Sequence, residues 1–436
     1  MSELKKQQTS PEAPDRYTIP VDYYIMACIS ALFAAAAFIL DSPERVFQGL
    51  YNIHSSRSVL ITDYVALGGI GATLVNSAIL SVFNLYLLVK TKTKPNGRII
   101  ASLFLTAGFS LFGKNMFNTI PILIGVWLHG KIYKKDLSDL IVWAIVGTTI
   151  SPIVSQIAFI DNDTNLIKII VAYAVGIFVG FIFPKVKQGV ELVHRNFCLY
   201  KGGIAGGFIA TLCAGILRSL GIEILPEEDY WDISHTYHLA SIAFTIAFAL
   251  IIYGIVKDTP KTAFHKLKQL TMEADQDNCD YLCKYGSSAY INIGIMCVLS
   301  TCLMLFLGIP INGPVLGGIL TISGFACAGK HLRNTIPILI GSIVAAKYFN
   351  FKDVTTPLNC LAILFSTGLA PIAGRYGWLW GIIAGFVHVS IAIFIGDING
   401  GLNLYNNGFA GCFVVIILLP IIMTVGRPLT KRKKKL

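Results

Sequence analysis

"GKNMFNTIPILIG" occupies residues 113–125 and "GKHLRNTIPILIG" residues 329–341. Eight successive residues, NTIPILIG, are identical at a spacing of 216, and in each copy a lysine stands four residues before the asparagine. Outward from this pair the register holds. "NGRIIASLFLTAGF" (96–109) falls on "NGPVLGGILTISGF" (312–325), and Asn76 on Asn292. With small gaps, Ser151-Pro152-Ile153 meets Ala370-Pro371-Ile372 and "GIFVGF" (176–181) meets "GIIAGF" (381–386). Further on, "LYKGGIAGGF" (199–208) meets "LYNNGFAGCF" (404–413). Ordered matches over most of both halves mark an internal repeat rather than a shared apolar composition.

The chain of 436 residues is 54% hydrophobic and 14% charged, with a mean hydropathy of +0.67. Apolar runs long enough to cross a bilayer as helices recur throughout, so the expected class is an all-α integral membrane protein. Spans are predicted near 22–41, 59–89, 138–158, 166–183 and 202–222, then near 238–256, 286–308, 356–373, 376–396 and 407–425. The net charge of +11 sits largely in short loops and in the tail "RPLTKRKKKL". It reports orientation, not nucleic-acid binding. The polar start "MSELKKQQTSPEAPDR" and the long first run predict that this run stays as a helix.

Charge also orients the halves. The loop "VKTKTKPNGR" (89–98) is basic, whereas its counterpart "LGIPING" (307–313) has no Lys or Arg. "PKVKQGVELVHRNFCLYK" (184–201) differs in the same way from "GDINGGLNLYNN" (396–407). Matching loops of opposite bias imply inverted-topology repeats. The expected organisation is a cytoplasmic tail at 1–20, repeat 1 at 21–225, repeat 2 at 236–426 and a basic cytoplasmic tail at 427–436. The acidic loops "DNDTN" (161–165) and "LPEEDYWD" (225–232) are placed outside. Both termini are placed at the cytoplasmic face of the cell membrane. The parity of ten spans requires residues 98–130 and 314–349 to enter and return on one side, as re-entrant helical hairpins. Two short full crossings would give the same parity.

Asn118 or Thr119, with Pro121 behind, predicts a helix start inside the membrane, and Asn334, Thr335 and Pro337 predict a second. Such starts carry unpaired N–H groups and the positive end of the helix dipole. Meeting near the midplane, the two would suit an anion or a dipolar solute. Lys114 and Lys330, with Arg333 and His331 at the second tip only, add positive charge. The alternative leaves both lysines snorkelling to an interface. The spans after the hairpins carry Pro152 and Pro371 among hydroxyls. Freed carbonyls with Thr148, Thr149, Ser151, Ser366 and Thr367 would make an oxygen-rich nest for sodium, or a plain proline kink backed by hydroxyls. Asn76 and Asn292 line the cavity or bridge helices.

The glycine-rich stretches "ALGGIGATL" (66–74) and "KGGIAGGF" (201–208) follow no strand and read as helix-packing surfaces rather than nucleotide loops. The ten cysteines read as small core residues. Cys279 and Cys283 share a loop without a second pair, so no zinc site is expected, and no metal or enzyme signature is found.

Paired inverted hairpins with Asn-Thr at each tip, followed by broken helices, resemble the divalent anion/sodium symporters and related elevator transporters. The resemblance implies that Asn118, Thr119, Asn334 and Thr335 hold substrate and sodium. The serine of that family's tip is replaced by Phe117 and Arg333. The full repeated motif is also similar to that of an uncharacterised prokaryotic membrane family. The expectation is a secondary transporter of a small anionic solute, with sodium as the coupling ion and no other cofactor. Its partners would be the bilayer, a small anionic or polar solute and, as a homodimer, a second copy. Rival expectations are a channel of the urea-channel or aquaporin type and a membrane subunit of a redox or enzyme complex.

Overall fold

The computed structural model describes residues 18–160, 165–194, 197–222, 224, 231–274, 279–349 and 355–425. Most of both expected tails, nearly all of "DNDTN" and most of "LPEEDYWD" lie outside the described residues. Nineteen α-helices and no named strand occur among the described residues. In the first half they are α1 (Val21–Leu40), α2 (Pro43–His54), α3 (Tyr64–Lys90), α4 (Gly97–Phe109), α5 (Met116–Ile132), α6 (Leu137–Gly147), α7 (Pro152–Ala158), α8 (Leu166–His194) and α9 (Lys201–Ser219). In the second they are α10 (Thr236–Lys257), α11 (Pro260–Thr271), α12 (Tyr281–Tyr285), α13 (Ser288–Phe306), α14 (Gly313–Gly324), α15 (Leu332–Val344), α16 (Pro357–Ser366), α17 (Ala370–Tyr376), α18 (Trp378–Asn399) and α19 (Asn406–Val425).

Among the described residues, nine segments are long and apolar enough to cross a membrane, and ten if the bent pair α6–α7 counts as one. The protein is a polytopic helical membrane protein. The ten predicted spans fall on these segments. The apolar window of α8 is only 28% buried, as a lipid-facing helix requires, while that of α16–α17 is 83% buried and central. Outside the spans lie two amphipathic helices that the hydropathy pattern did not single out, α2 and α11. Each starts at a hydroxyl followed by proline: Ser42 Oγ accepts from the Arg45 N–H and Thr259 Oγ1 from the Thr262 N–H, both at 3.4 Å.

Residues aligned in the sequence have matching surroundings. Asp63 caps α3 and Asp280 caps α12. Six residues later each helix path breaks at a glycine with positive φ, Gly69 at 85° and Gly286 at 59°. Asp63 Oδ1 accepts from the Gly313 N–H of α14 (3.1 Å), and Asp280 Oδ1 from the Gly97 N–H of α4 (3.0 Å). Each half thus caps the short helix of the other. α4 packs on α14 through close backbone approach at Gly108 and Gly317, and α9 on α19 where Gly203 meets Gly408. The glycine-rich stretch at 201–208 is a packing surface, as expected.

The repeated motif fits a close helix pair. α5 lies on α8 and α15 on α18. A Cβ on Gly125 would stand 2.1 Å from the Ile177 carbonyl oxygen, and one on Gly341 1.9 Å from that of Ile382. Pro121 lies against Gly176 and Pro337 against Gly381. The prolines and the final glycines of NTIPILIG therefore let two backbones touch, the way small residues join membrane helices.

The expected hairpins take a different form. Their arms do not pack along each other: α4 leans on α3 and α14, and α5 on α8 and α6. The two tips also do not meet. Gly97 at the start of α4 touches Cys327 at the second tip, and Gly313 at the start of α14 touches Leu111 at the first. The tips therefore stand at opposite ends of an antiparallel pair, about 20 Å apart at 1.5 Å per residue. The expectation of a solute held between two facing tips is corrected by this stagger.

Candidate functional site

Each tip is built by an asparagine reaching back. α5 begins one turn earlier than expected, at Met116, with Asn115 as N-cap, and α15 begins at Leu332, behind His331. Asn118 Oδ1 accepts from the Asn115 N–H, and Asn334 Oδ1 from the His331 N–H, both at 2.9 Å. The Asn118 amide donates to the Gly113 carbonyl (3.1 Å) and Ser155 Oγ (3.0 Å), and the Asn334 amide to the Gly329 carbonyl (3.0 Å). The helix starts are thus closed by the protein itself. These asparagines shape the tips; their polar atoms bond the backbone and, for Asn118, Ser155 Oγ as well.

Asn76 and Asn292 work from the neighbouring spans. The Asn76 amide donates to the carbonyls of Ser110 (2.7 Å) and Lys114 (2.9 Å). The Asn292 amide donates to those of Ala326 (2.9 Å) and Lys330 (2.7 Å). Of the two expected roles, they take the bridging one, satisfying carbonyls that the broken helix leaves without partners. Thr335 Oγ1 bonds the His331 carbonyl at 2.8 Å, while Thr119 Oγ1 is buried without a partner.

In the broken spans, three hydroxyls bond within their own bend. α6 and α7 are bent by 44°. Thr148 Oγ1 donates to the Ile145 carbonyl (2.6 Å), Ser366 Oγ to Ile363 (2.6 Å) and Thr367 Oγ1 to Leu364 (2.7 Å). At these three positions the hydroxyls donate to the carbonyls of their own bend. Thr149 Oγ1 and Ser151 Oγ are the exceptions, buried without partners.

Both lysines are fully buried, at 0% exposure. Lys330 Nζ donates to the hydroxyl of Tyr200 and to Thr367 Oγ1 (2.9 Å), and lies over the rings of Tyr200 (4.4 Å) and Phe325 (5.4 Å). Lys114 Nζ has no hydrogen-bond partner. No carboxylate pairs with either lysine among the described residues. Arg333, expected beside them, is instead exposed, with Nη1 at 3.2 Å from Met272 Sδ.

Between the tips lies an aromatic cluster. Tyr200 and Tyr405 pack at 4.7 Å between ring centres, with Phe109, Phe325 and Phe365 edge-on or tilted around them. A cavity of about 70 Å³ reaches Tyr405 and Phe325, and Arg98, Ser102, Trp143 and Lys201 also line it. The two tyrosines and this cavity went unread in the sequence. The signal was present, because Leu-Tyr opens both aligned stretches at 199 and 404.

A family described as "Protein of unknown function (DUF1576)" matches residues 42–219 and 259–424. The chain belongs to this family. In the DUF1576 chain, the two matched segments contain both tips, both broken spans and both tyrosines. No curated protein and no solved structure matches it.

Proposed function

We propose that this protein is a secondary transporter of a small anionic solute, built from two inverted copies of one five-span unit. The observation that carries the reading is the pair of fully buried lysines at matching positions, neither facing a carboxylate among the described residues. An ammonium at membrane depth costs several kcal/mol. An arriving anion offsets that cost. The cavity supports the reading, because Arg98, Lys201 and Tyr405 line it. The short arms support re-entry: α4 and α14 measure about 20 and 18 Å, less than the roughly 30 Å of a hydrocarbon core. The opposite charge of matching loops supports inversion.

The test is flux in liposomes containing the purified protein. Nitrate, acetate, chloride and sulfate gradients are imposed with sodium or choline as the cation. Saturable uptake that follows an imposed gradient is the expected result. Flux that rises linearly with concentration and ignores the co-ion would make the protein a channel. No flux with any anion, together with a stoichiometric partner on purification, would make it a subunit.

A further inference from the structure

The two halves treat their lysines differently. Lys330 is satisfied from within, by Tyr200 of the other half and Thr367 of its own. The aligned residues around the first tip are Lys114 and Thr148 of the first half and Tyr405 of the second. There, Lys114 Nζ and the Tyr405 hydroxyl are both buried and unpartnered. Three further buried hydroxyls without partners, those of Thr119, Thr149 and Ser151, belong to the elements around them. These elements touch. The Leu404 N–H donates to the Thr149 carbonyl at 2.9 Å, the Leu404 side chain lies against Gly113, and α5 packs on the turn at 148–150. Buried polar groups in native proteins are almost always paired, so five orphans on three contiguous elements call for a shared partner. One ammonium balances one negative charge, and four hydroxyls offer four donors.

We propose that Lys114, Thr119, Thr149, Ser151 and Tyr405 bind a small monovalent oxyanion such as a carboxylate or nitrate, and that Lys330–Tyr200–Thr367 is the matching site held shut by its own hydrogen bonds. Transport exchanges the two arrangements: the first half closes Lys114 on Tyr405 as the second releases Lys330. The binding site stands on the orphaned atoms alone, whereas the exchange rests on the transporter reading above.

Anion-dependent thermal stabilisation of the detergent-purified full chain tests the site, with nitrate, acetate, chloride and sulfate as probes. Saturable stabilisation by nitrate or acetate is expected, with sulfate weaker. In Lys114→Met the apparent affinity falls at least tenfold, and in Thr149→Val and Tyr405→Phe about threefold or more. The milder variants serve if Lys114→Met fails to fold. Arg333→Ala responds as wild type does. Equal responses in wild type and all three site variants, or no response to any anion, would overturn the site and leave water as the partner of these groups. Liposome flux then separates the two ideas. In Lys330→Met, binding shifts by less than threefold while flux falls at least tenfold. Binding that depends on Lys114 without flux in wild type would keep the site and reject the exchange. Full flux in Lys330→Met would also reject the exchange.

Discussion

Asn118 shows how much one side chain decides at a tip. It accepts one backbone N–H and donates to a carbonyl and a hydroxyl, all buried. Asn118→Ala leaves these groups unpaired and is expected to cost about 1–3 kcal/mol, read as a lower thermal midpoint in detergent. The sequence marked Asn118 as special but assigned it to the solute. The letter N does not tell whether an amide faces a ligand or its own backbone. Titration supplies a second residue-scale expectation, outside the spans. Asp258 receives hydrogen bonds from Lys266 Nζ and Ser287 Oγ, both at 2.9 Å, and Lys266 first and Ser287 second hold its carboxyl below its ordinary value of 3.8. A depressed carboxyl contributes stability that is present above its unfolded value and lost as pH falls through its folded one. Asp258→Asn should therefore flatten the stability profile below about pH 4 and leave the shape above pH 5 unchanged. An unaltered acid limb would show that this loop contact contributes nothing.

Among elements, the glycines at helix crossings separate packing from mere flexibility. Gly125→Ala and Gly341→Ala each drive a methyl into a backbone carbonyl. α5 must then part from α8, or α15 from α18, at about 1–3 kcal/mol or more. Gly215, inside α9, has nothing within 4 Å of an added Cβ. Gly215→Ala should stabilise by about 0.4–1 kcal/mol. If all three variants melt alike, close approach is not what these glycines serve. Helix positions were legible because long apolar runs fix them. The amphipathic helices α2 and α11 escaped because their hydropathy is ordinary and their apolar faces are narrow. The break at Gly69 escaped because a positive φ leaves no trace in an apolar run.

At the scale of the molecule the proposed inversion can be tested directly. In a variant without native cysteines, Lys94→Cys should react with an impermeant maleimide only in inside-out vesicles, and Leu307→Cys only in intact cells. Labelling of both from one side would mean parallel copies and remove the basis for exchange between them. The reciprocal caps made by Asp63 and Asp280 tie the halves together at both ends of α4 and α14. Asp280→Ala and Asp63→Ala should each loosen the same interface.

The sequence by itself determined the membrane class, the ten apolar segments, the doubled pattern and the residues marked by it. These follow from composition, periodicity and spacing, which are local to the chain. Only the tertiary structure decided that the tips stand about 20 Å apart, that Asn118 and Asn334 serve the backbone, and that Lys330 is paired while Lys114 is not. A hydrogen-bond partner is set by where a distant helix places its atoms. Tyr200 lies 130 residues from Lys330, and only tertiary packing brings them into contact.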